Sequence, residues 1–469
     1  MTRRIIAFRR VSLTFHRLGR HQLLGLTLAA CAVLLSGHTA FAELWPAENS
    51  ADSALPSWFD KSALSGHSLQ ILPTGQDLTA QRHALIESAQ ESIFLASYMF
   101  LPDEAGLDIA RRLCEKSRHG VDVRLMLDNW GSAPLRKRKF LKKFRDCGIR
   151  LIFFNPGRWG LGDLAYTLHE KLLVVDGARV MIGGNGYDNR YRRASRNSEI
   201  WHDIELRVDG PSACWYHKQF ADNWKRSAER TILVDWMRPK EPRFPDEPVD
   251  PFDEELILSA DELEKLFGLD SIPGCNPTDH GDSRLAPFYG NPLFQKNRPL
   301  LDAHLQALES SRREIKLYAP YFIPHERFSQ ALIEARRRGV KVTVLTNSPV
   351  SNDEAQTIVV GMFNSIKDLL NAGVDVRLWT RKSTLHRKGG IYDDRWAYLG
   401  SDNLDRRGQE YSSEAIVFTD DSAILEQLEA EFEEDHALTE SVTWDFIHDY
   451  LSSSNPLIRW VAWFLRKYM

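Results

Sequence analysis

One short pattern occurs twice in this chain, and that duplication constrains the fold more than any other feature. The first copy reads Tyr166-Thr-Leu-His169-Glu-Lys171-Leu-Leu-Val-Val-Asp176, followed by Gly183-Gly184-Asn185. The second reads Ser383-Thr-Leu-His386-Arg-Lys388-Gly-Gly-Ile-Tyr-Asp393, followed by Gly400-Ser401-Asp402-Asn403. Both have the spacing H-x-K-x-x-x-x-D, and six residues then lead to Gly-Gly or Gly-Ser. A single such pattern is a weak signal, expected by chance in roughly one of every twenty chains of this size. Two copies inside matching flanks are a strong one.

The flanks repeat as well. In the first copy, Ala84-Leu-Ile-Glu-Ser-Ala reads as a helix and the apolar run Ile93 to Phe100 as a buried strand. Leu107 to Arg118 is an amphipathic helix stopped by Gly120. Val121 to Leu127 alternates as a strand, and a basic helix (Arg136 to Lys143) leads to a strand at Ile149 to Phe154. In the second copy, helix Leu305 to Ser310 and strand Ile315 to Phe322 lead to helix Phe328 to Arg338, stopped by Gly339. Strand Val340 to Leu345, helix Ile366 to Asn371 and strand Val374 to Trp379 complete it. Phe100 matches Phe322, Gly120 matches Gly339 and His169 matches His386, at a nearly constant offset of about 220 residues. Repeats this long indicate two like halves rather than a solenoid. The expected fold is α/β: two similar halves with mixed, largely parallel sheets packed around one shared active site. The expected organisation is a leader at 1–42, a first half at 43–235, a Pro-rich acidic linker at 236–283, a second half at 284–440 and an amphipathic tail at 441–469.

The paired motifs resemble those of the phospholipase D superfamily, whose members build one active site between two such halves. The likeness runs from about residue 65 to 440. It is greatest to the bacterial cardiolipin synthase branch, through Gly400-Ser-Asp-Asn-Leu-Asp-Arg-Arg407, Ala319-Pro-Tyr-Phe-Ile-Pro324, Thr346-Asn-Ser-Pro-Val-Ser-Asn-Asp353 and Phe154-Asn-Pro156.

The residue types suit phosphodiester transfer. Such a reaction needs a nucleophile on phosphorus, an acid for the leaving oxygen and positive charge for the developing anion. Imidazole serves as nucleophile or acid near neutral pH, so His169 and His386 fill the first two roles. Lys171 and Lys388 supply fixed cations without a metal, and Ser401 and Asn403 add neutral donors. In extended chain, H-x-K puts both side chains on one face, and the glycines let backbone approach an anion. The resemblance implies a phosphohistidine intermediate, with His169 as nucleophile and His386 as acid, an order the residues themselves do not fix. It also implies an acidic partner for each ring. Glu414 stands where the family has its glutamate, and Asp203, within His202-Asp-Ile-Glu205, is the choice in the first half. Asp176 and Asp393 match the motif aspartates and are carried as candidate catalytic residues, although they read as structural. The first motif departs from the family pattern: the asparagine position is Gly186. Either Asn185 substitutes through a shifted turn, or the first half binds phosphate with fewer donors.

The resemblance implies a phosphatidyltransferase joining phosphatidylglycerol to a second phospholipid, with phosphatidylethanolamine as a candidate. Hydrolytic phospholipase D activity and an exported phosphodiesterase or nuclease are the alternatives. A formal net charge of −4 argues against nucleic acid as a partner, since polyanion binders are usually basic. No cofactor is implied. Cys114, Cys147, Cys214 and Cys275 lack zinc-site spacing. Cys114 and Cys147 read as buried free thiols, and a Cys214–Cys275 disulfide is open to an exported chain.

Three further stretches bear on location. Six arginines precede an apolar run from Leu23 to Leu35 and a small-x-small site at Ala40-Phe-Ala42. This reads as a secretory signal, an uncut anchor or, through Cys31, a lipoprotein leader. All three export the rest to the periplasmic side of the inner membrane. Pro239, Pro242, Pro245, Pro248 and Pro251 keep a polyproline period and read as an extended strap. Ser259-Ala-Asp-Glu262 reads as a capping box. In the tail, Leu457, Trp460, Val461, Phe464, Leu465 and Tyr468 share one helical face. That face either docks on the protein or lies in a membrane interface.

Overall fold

The computed structural model describes residues 57–155, 166–192, 199–236, 265 and 267–465. The leader with Cys31, the proline strap, the capping box and residues 466–469 lie outside the described residues.

The first half supplies strands β1 (Leu64–Pro73), β2 (Ser92–Ser97), β3 (Asp122–Asp128), β4 (Arg150–Phe154), β5 (Thr167–Leu168), β6 (Leu172–Val175), β7 (Arg179–Gly183) and β8 (Ile204–Asp209). The second supplies β9 (Ser283–Gly290), β10 (Glu314–Tyr318), β11 (Lys341–Asn347), β12 (Asp375–Trp379), β13 (Gly389–Tyr392), β14 (Trp396–Gly400), β15 (Ser412–Thr419) and β16 (Thr439–Ser441). The helices used below are α1 (Glu104–Arg118), α2 (Arg138–Asp146), α3 (Pro211–Trp236), α4 (Gln356–Ser365), α5 (Arg406–Tyr411), α6 (Ser422–His436), α7 (Trp444–Ser453) and α8 (Pro456–Leu465). Helix α1 begins where the Asp103 carboxylate accepts from the Gly106 N–H and ends just before Gly120, at φ +92°.

The strands form one mixed sheet whose order repeats itself. Toward the centre the first half runs β4-β3-β2-β6-β7-β8-β1, and the second, inside its edge strand β16, runs β12-β11-β10-β13-β14-β15-β9. Strands β1 and β9 pair antiparallel at the seam, across a register irregularity. Parallel pairing joins β2-β3-β4 and β10-β11-β12. The other pairs along this order are antiparallel, so the sheet is mixed, as expected, but less parallel than the alternation of helices and strands suggests. Helical crossovers demand parallel neighbours, whereas the tight β6–β7 and β13–β14 connections demand antiparallel ones. One core cluster joins Phe94, Met126 and Trp224 of the first half to Tyr318, Trp379 and Leu399 of the second. The halves therefore share buried apolar surface rather than merely touching.

The two motif aspartates belong to this framework. Asp176 and Asp393 sit in the β6–β7 and β13–β14 turns at φ +54° and +55°, a conformation that aspartate tolerates better than most residues. The Asp176 carboxylate accepts from the backbone N–H groups of Gln90, Glu91 and Ser92. That of Asp393 accepts from Arg312, Arg313 and Glu314 at 2.7–2.9 Å. Each thus caps the entry to β2 or β10, and the candidate catalytic assignment of both is corrected to a structural one.

One cysteine pair, Cys114 and Cys147, differs from the expected free thiols, and the other, Cys214 and Cys275, takes up the disulfide left open to it. Cys114 on α1 and Cys147 at the end of α2 form a disulfide, as do Cys214 on α3 and Cys275. Cys114 and Cys147 are far apart in sequence but meet because their helices lie side by side over β3 and β4, which spacing alone does not reveal. The tail helix α8 begins with the Asn455 side chain accepting from the Leu457 N–H. It packs through Ile458 and the fully buried Ala462, where a small residue permits close helix contact. Two members of the apolar face read from the sequence, Leu457 and Trp460, are exposed, as is Trp463, which lies outside that face and is exposed by 59%.

Replacing Asp393 with alanine leaves three N–H groups at the start of β10 without their acceptor. We expect a loss of about 2–3 kcal/mol of stability in urea unfolding, with kcat of the folded protein nearly unchanged. A large fall in kcat at unaltered stability would restore the catalytic assignment.

Candidate active site

Each His-Lys pair lies in the extended gap between two short strands: 169–171 between β5 and β6, 386–388 just before β13. Backbone bonds clip each gap to the opposite half. Strand β5 pairs in parallel with the start of β15, and the His169 and Glu170 N–H groups both donate to the Ser413 carbonyl at 2.9 and 2.8 Å. In the counterpart, the His386 N–H donates to the His202 carbonyl at 2.7 Å, and the His202 N–H to the Thr384 carbonyl at 2.9 Å.

The carboxylates follow the same crossing. His169 Nδ1 lies 2.6 Å from Glu414 Oε1, and His386 Nδ1 lies 2.6 Å from Asp203 Oδ2. Asp203 and Glu414 occupy equivalent places, two residues before Glu205 (opposite Gly183) and Ile416 (opposite Gly400). Each half's acid therefore orients the other half's imidazole. With Nδ1–H donating to the carboxylate, each Nε2 carries its lone pair toward the cleft.

The glycines serve the protein's own anions. A Cβ on Gly184 would lie 2.5 Å from both Asp203 carboxylate oxygens, and one on Gly400 would lie 2.4 Å from the Ala415 carbonyl oxygen. Glycine here makes room for a buried carboxylate and a neighbouring strand, not for substrate. At the position of Gly184 the second half has Ser401, whose hydroxyl donates to Glu414 Oε2 and accepts from the Ala415 N–H. Ser401 holds a catalytic carboxylate and is corrected from the substrate-binding set. Asn185 is corrected likewise. It is fully buried, its Oδ1 accepts from the Thr74 hydroxyl at 3.0 Å, and its carbonyl accepts from Arg82. Gly186 lines the cleft where the second half presents Asn403, so the first half has one neutral donor fewer.

The two rings open into one cleft of about 890 Å³, a volume that includes the solvent at its open side. Tyr98 packs beside His169 (ring centroids 5.2 Å) and Trp201 beside His386 (4.9 Å). The Lys171 ammonium reaches both His169 Nε2, at 3.0 Å, and the His169 carbonyl, at 2.7 Å. Lys388 is fully buried and donates to the His386 carbonyl.

Burial and crowded cations set the charge states. Burial, then the ammonium groups of Lys171 and Lys388, hold the His169 pKa well below its ordinary value. Burial, Lys388 and Lys171 do the same for His386. Desolvation lowers Lys171 to about 8 and Lys388 to about 7. It raises Asp203 to about 6 and carries Glu414 well above the usual carboxylate range. The cleft thus holds neutral imidazoles beside weakened cations, and an arriving phosphate would favour protonation of both.

Sequence reasoning missed several residues of the cleft: Tyr98, Trp201, Asp353, Glu354, Arg190 and Arg407. The two arginines had a usable signal, since each lies 21 residues after the histidine of its motif. The tyrosine, the tryptophan and the two acids come from loops without such a mark. Among the described residues, no group of three or more His, Cys, Asp or Glu side chains is arranged to hold a metal ion.

A family model described as "Cardiolipin synthase, PLD-like domain" matches residues 83–224 and 304–436, more than half of the chain. The chain belongs to this family. The cardiolipin synthase family match contains all four His-Lys residues, both disposing carboxylates and both cleft arginines. Similar curated relatives include cardiolipin synthase 1 of Bacillus anthracis, 24% identical over 80% of this chain and 68% of the relative. The major cardiolipin synthase of Bacillus subtilis (strain 168) is 25% identical over 81% of this chain and 71% of the relative. Among solved structures, the phosphatidylserine synthase of Haemophilus influenzae Rd KW20 superposes with a TM-score of 0.57 at 14% identity, covering 86% of this chain and 95% of that one. That likeness concerns the fold.

The charge states predict a narrow pH optimum. Below about 6, Asp203 takes up a proton and ceases to fix the His386 ring; above about 7, Lys388 loses its charge. The pH profile of kcat/KM, which reports the free protein, should therefore be bell-shaped and centred between these values. A profile flat from pH 5 to 9 would contradict the assignment.

Proposed function

We propose that this protein is a cardiolipin synthase-like phosphatidyltransferase that moves a phosphatidyl group from one phospholipid to the headgroup hydroxyl of another, phosphatidylglycerol being one of the pair and phosphatidylethanolamine a candidate for the other. The observation that carries this reading is the crossed pair of His–carboxylate contacts facing one cleft, within a chain of the cardiolipin synthase family. His169 Nε2 attacks the donor phosphorus, forming a P–N bond as the P–O bond to the leaving alcohol breaks. His386, protonated once the anionic donor is bound, gives its Nε2 proton to that alcohol. The acceptor hydroxyl then attacks phosphorus, the P–N bond breaks, and its proton passes to His386. Lys171, Lys388 and Asn403 balance charge on the phosphoryl oxygens. Water in the acceptor's place would make the same site a phospholipase.

Membrane association is part of the reading. Trp130 and Val350 are exposed by 63% and 71%, in the loops that follow the equivalent strands β3 and β11 beside the cleft. Trp444, Phe446, Leu457, Trp460 and Trp463 are exposed on α7 and α8. Aromatic side chains of this kind suit a bilayer interface. Among the described residues no helix is long and apolar enough to cross a membrane. Two disulfides and the arginine-rich leader support export to an oxidising compartment.

Product analysis by mass spectrometry tests the chemistry. With phosphatidylglycerol vesicles, with and without phosphatidylethanolamine, we expect cardiolipin from the intact protein and a loss of roughly 10³-fold with His386→Ala. Phosphatidic acid alone would identify water as the acceptor. Neither product would remove the lipid reading and make DNA the next substrate to try. For the interface, the double variant Trp460→Ala/Trp463→Ala should co-sediment less with anionic vesicles at unchanged thermal stability. Unchanged co-sedimentation would leave these rings without a membrane role.

A further inference from the structure

The duplicated halves place an arginine at the same point in the cleft, but only one of the two is held in an ion pair among the described residues. In the first half, Arg190 Nε and Nη2 donate to the two oxygens of Asp188 at 2.7 and 2.8 Å, and its guanidinium lies 4.3 Å over the Trp201 ring. Its charge is spent within its own half. The counterpart Arg407 lines the same cleft and is exposed. Asp405, which corresponds to Asp188, turns instead to the Gly408 N–H at the start of α5. Asp128, also near, is held by the N–H groups of Trp130, Gly131 and Leu168. Asp353 accepts from the Tyr321 hydroxyl, and the Glu354 carboxyl is pushed toward its neutral form by burial and by Asp353, against the opposing pull of Arg407, whose charge also acts on Asp128 and Asp405 without an ion-pair contact. Arg407 reaches the Tyr98 hydroxyl. No carboxylate forms an ion pair with it among the described residues.

A guanidinium without an ion-pair partner in a phosphoryl-transfer cleft is free to take an anion, and the reacting phosphate already has His169, Lys171, Lys388 and Asn403 about it. We propose that Arg407 anchors a second, non-reacting phosphate: the phosphodiester of the acceptor phospholipid. The inference rests on the phosphatidyltransfer reading. An acceptor such as phosphatidylglycerol presents its hydroxyl only a three-carbon bridge away from its own phosphate. When that hydroxyl lies against the phosphatidyl group on His169, its phosphate must sit in the same cleft. Arginine offers two parallel donors to such a group and fixes its orientation. Water and simple alcohols carry no phosphate, so this contact favours lipid acceptors over hydrolysis without touching the first chemical step.

The test compares two acceptors for one donor. Arg407→Ala should raise the KM for phosphatidylglycerol as acceptor about tenfold or more, while phosphatidylethanol formation from the same donor and ethanol changes less than about twofold. Arg407→Lys should recover part of the loss, because it restores charge but not the paired donors. Because Arg407 is exposed, the melting temperature should not move. Equal loss of both products would mean that Arg407 serves the reacting phosphate, and loss of neither would mean that it binds nothing; both overturn the proposal. A second readout does not need turnover. On the His386→Ala background, calorimetric titration with dihexanoyl phosphatidylglycerol should saturate at two molecules per chain, and at one when Arg407→Ala is added. One molecule in both cases overturns the subsite. If the wild type transfers nothing but the stoichiometry still falls from two to one, the subsite stands and the transfer reading fails. Inorganic phosphate, titrated in parallel, separates recognition of the bare anion from recognition of the lipid: matching affinity would overturn the lipid assignment.

Discussion

Two imidazole–carboxylate contacts, each bridging the halves, are the interaction on which the rest depends. Burying two carboxylates, two ammonium groups and two histidines in one place is costly unless each is paired and hydrogen-bonded. The structure meets that requirement by crossing: Glu414 faces His169, Asp203 faces His386, and the lysines sit close enough to share the field of both acids. Two acids thus face two ammonium groups, and both imidazoles stay neutral. A phosphate arriving beside neutral imidazoles and partly weakened cations favours the protonated form of each. Binding and protonation are then one event, which lets a single ring act as an acid at a pH where it would otherwise be neutral.

Much of this could be read from the chain. The duplicated motifs, the offset between the copies and the alternating strands and helices give the two-half architecture and place four of the central residues. Asp203 and Glu414 were found as well, but not their crossing. Sequence position assigns each acid to its own half, whereas the partner of each ring is set by which backbone lies beside it, here β15 against β5 and His202 against Leu385. The same gap explains the other corrections. Ser401 and Asn185 carry the right chemistry for binding phosphate, but local hydrogen bonding turns them to Glu414 and Thr74. Asp176 and Asp393 match the motif because a left-handed turn and three N–H groups select aspartate, not because a reaction does. Cys114 and Cys147 meet through helix packing that no spacing encodes.

The halves are alike in path and unlike in detail, and the differences fall at the cleft. Gly186 corresponds to Asn403, and the ion-paired Arg190 to Arg407, which has no ion-pair partner among the described residues. Each pair removes a donor or a charge from the first half and leaves it in the second. A symmetric framework thus presents an asymmetric surface to its ligands, as a reaction with distinct donor and acceptor requires.

The crossing has a consequence for the life of the chain before it is finished. While only the first half has been made, His169 lacks both the carboxylate that orients it and the Ser413 carbonyl that fixes its backbone, and His386 does not yet exist. Competence for transfer therefore requires both halves together and cannot accumulate as the chain grows. A protein whose chemistry acts on the lipids of its host carries, in its own topology, a delay that keeps it inert until it is whole.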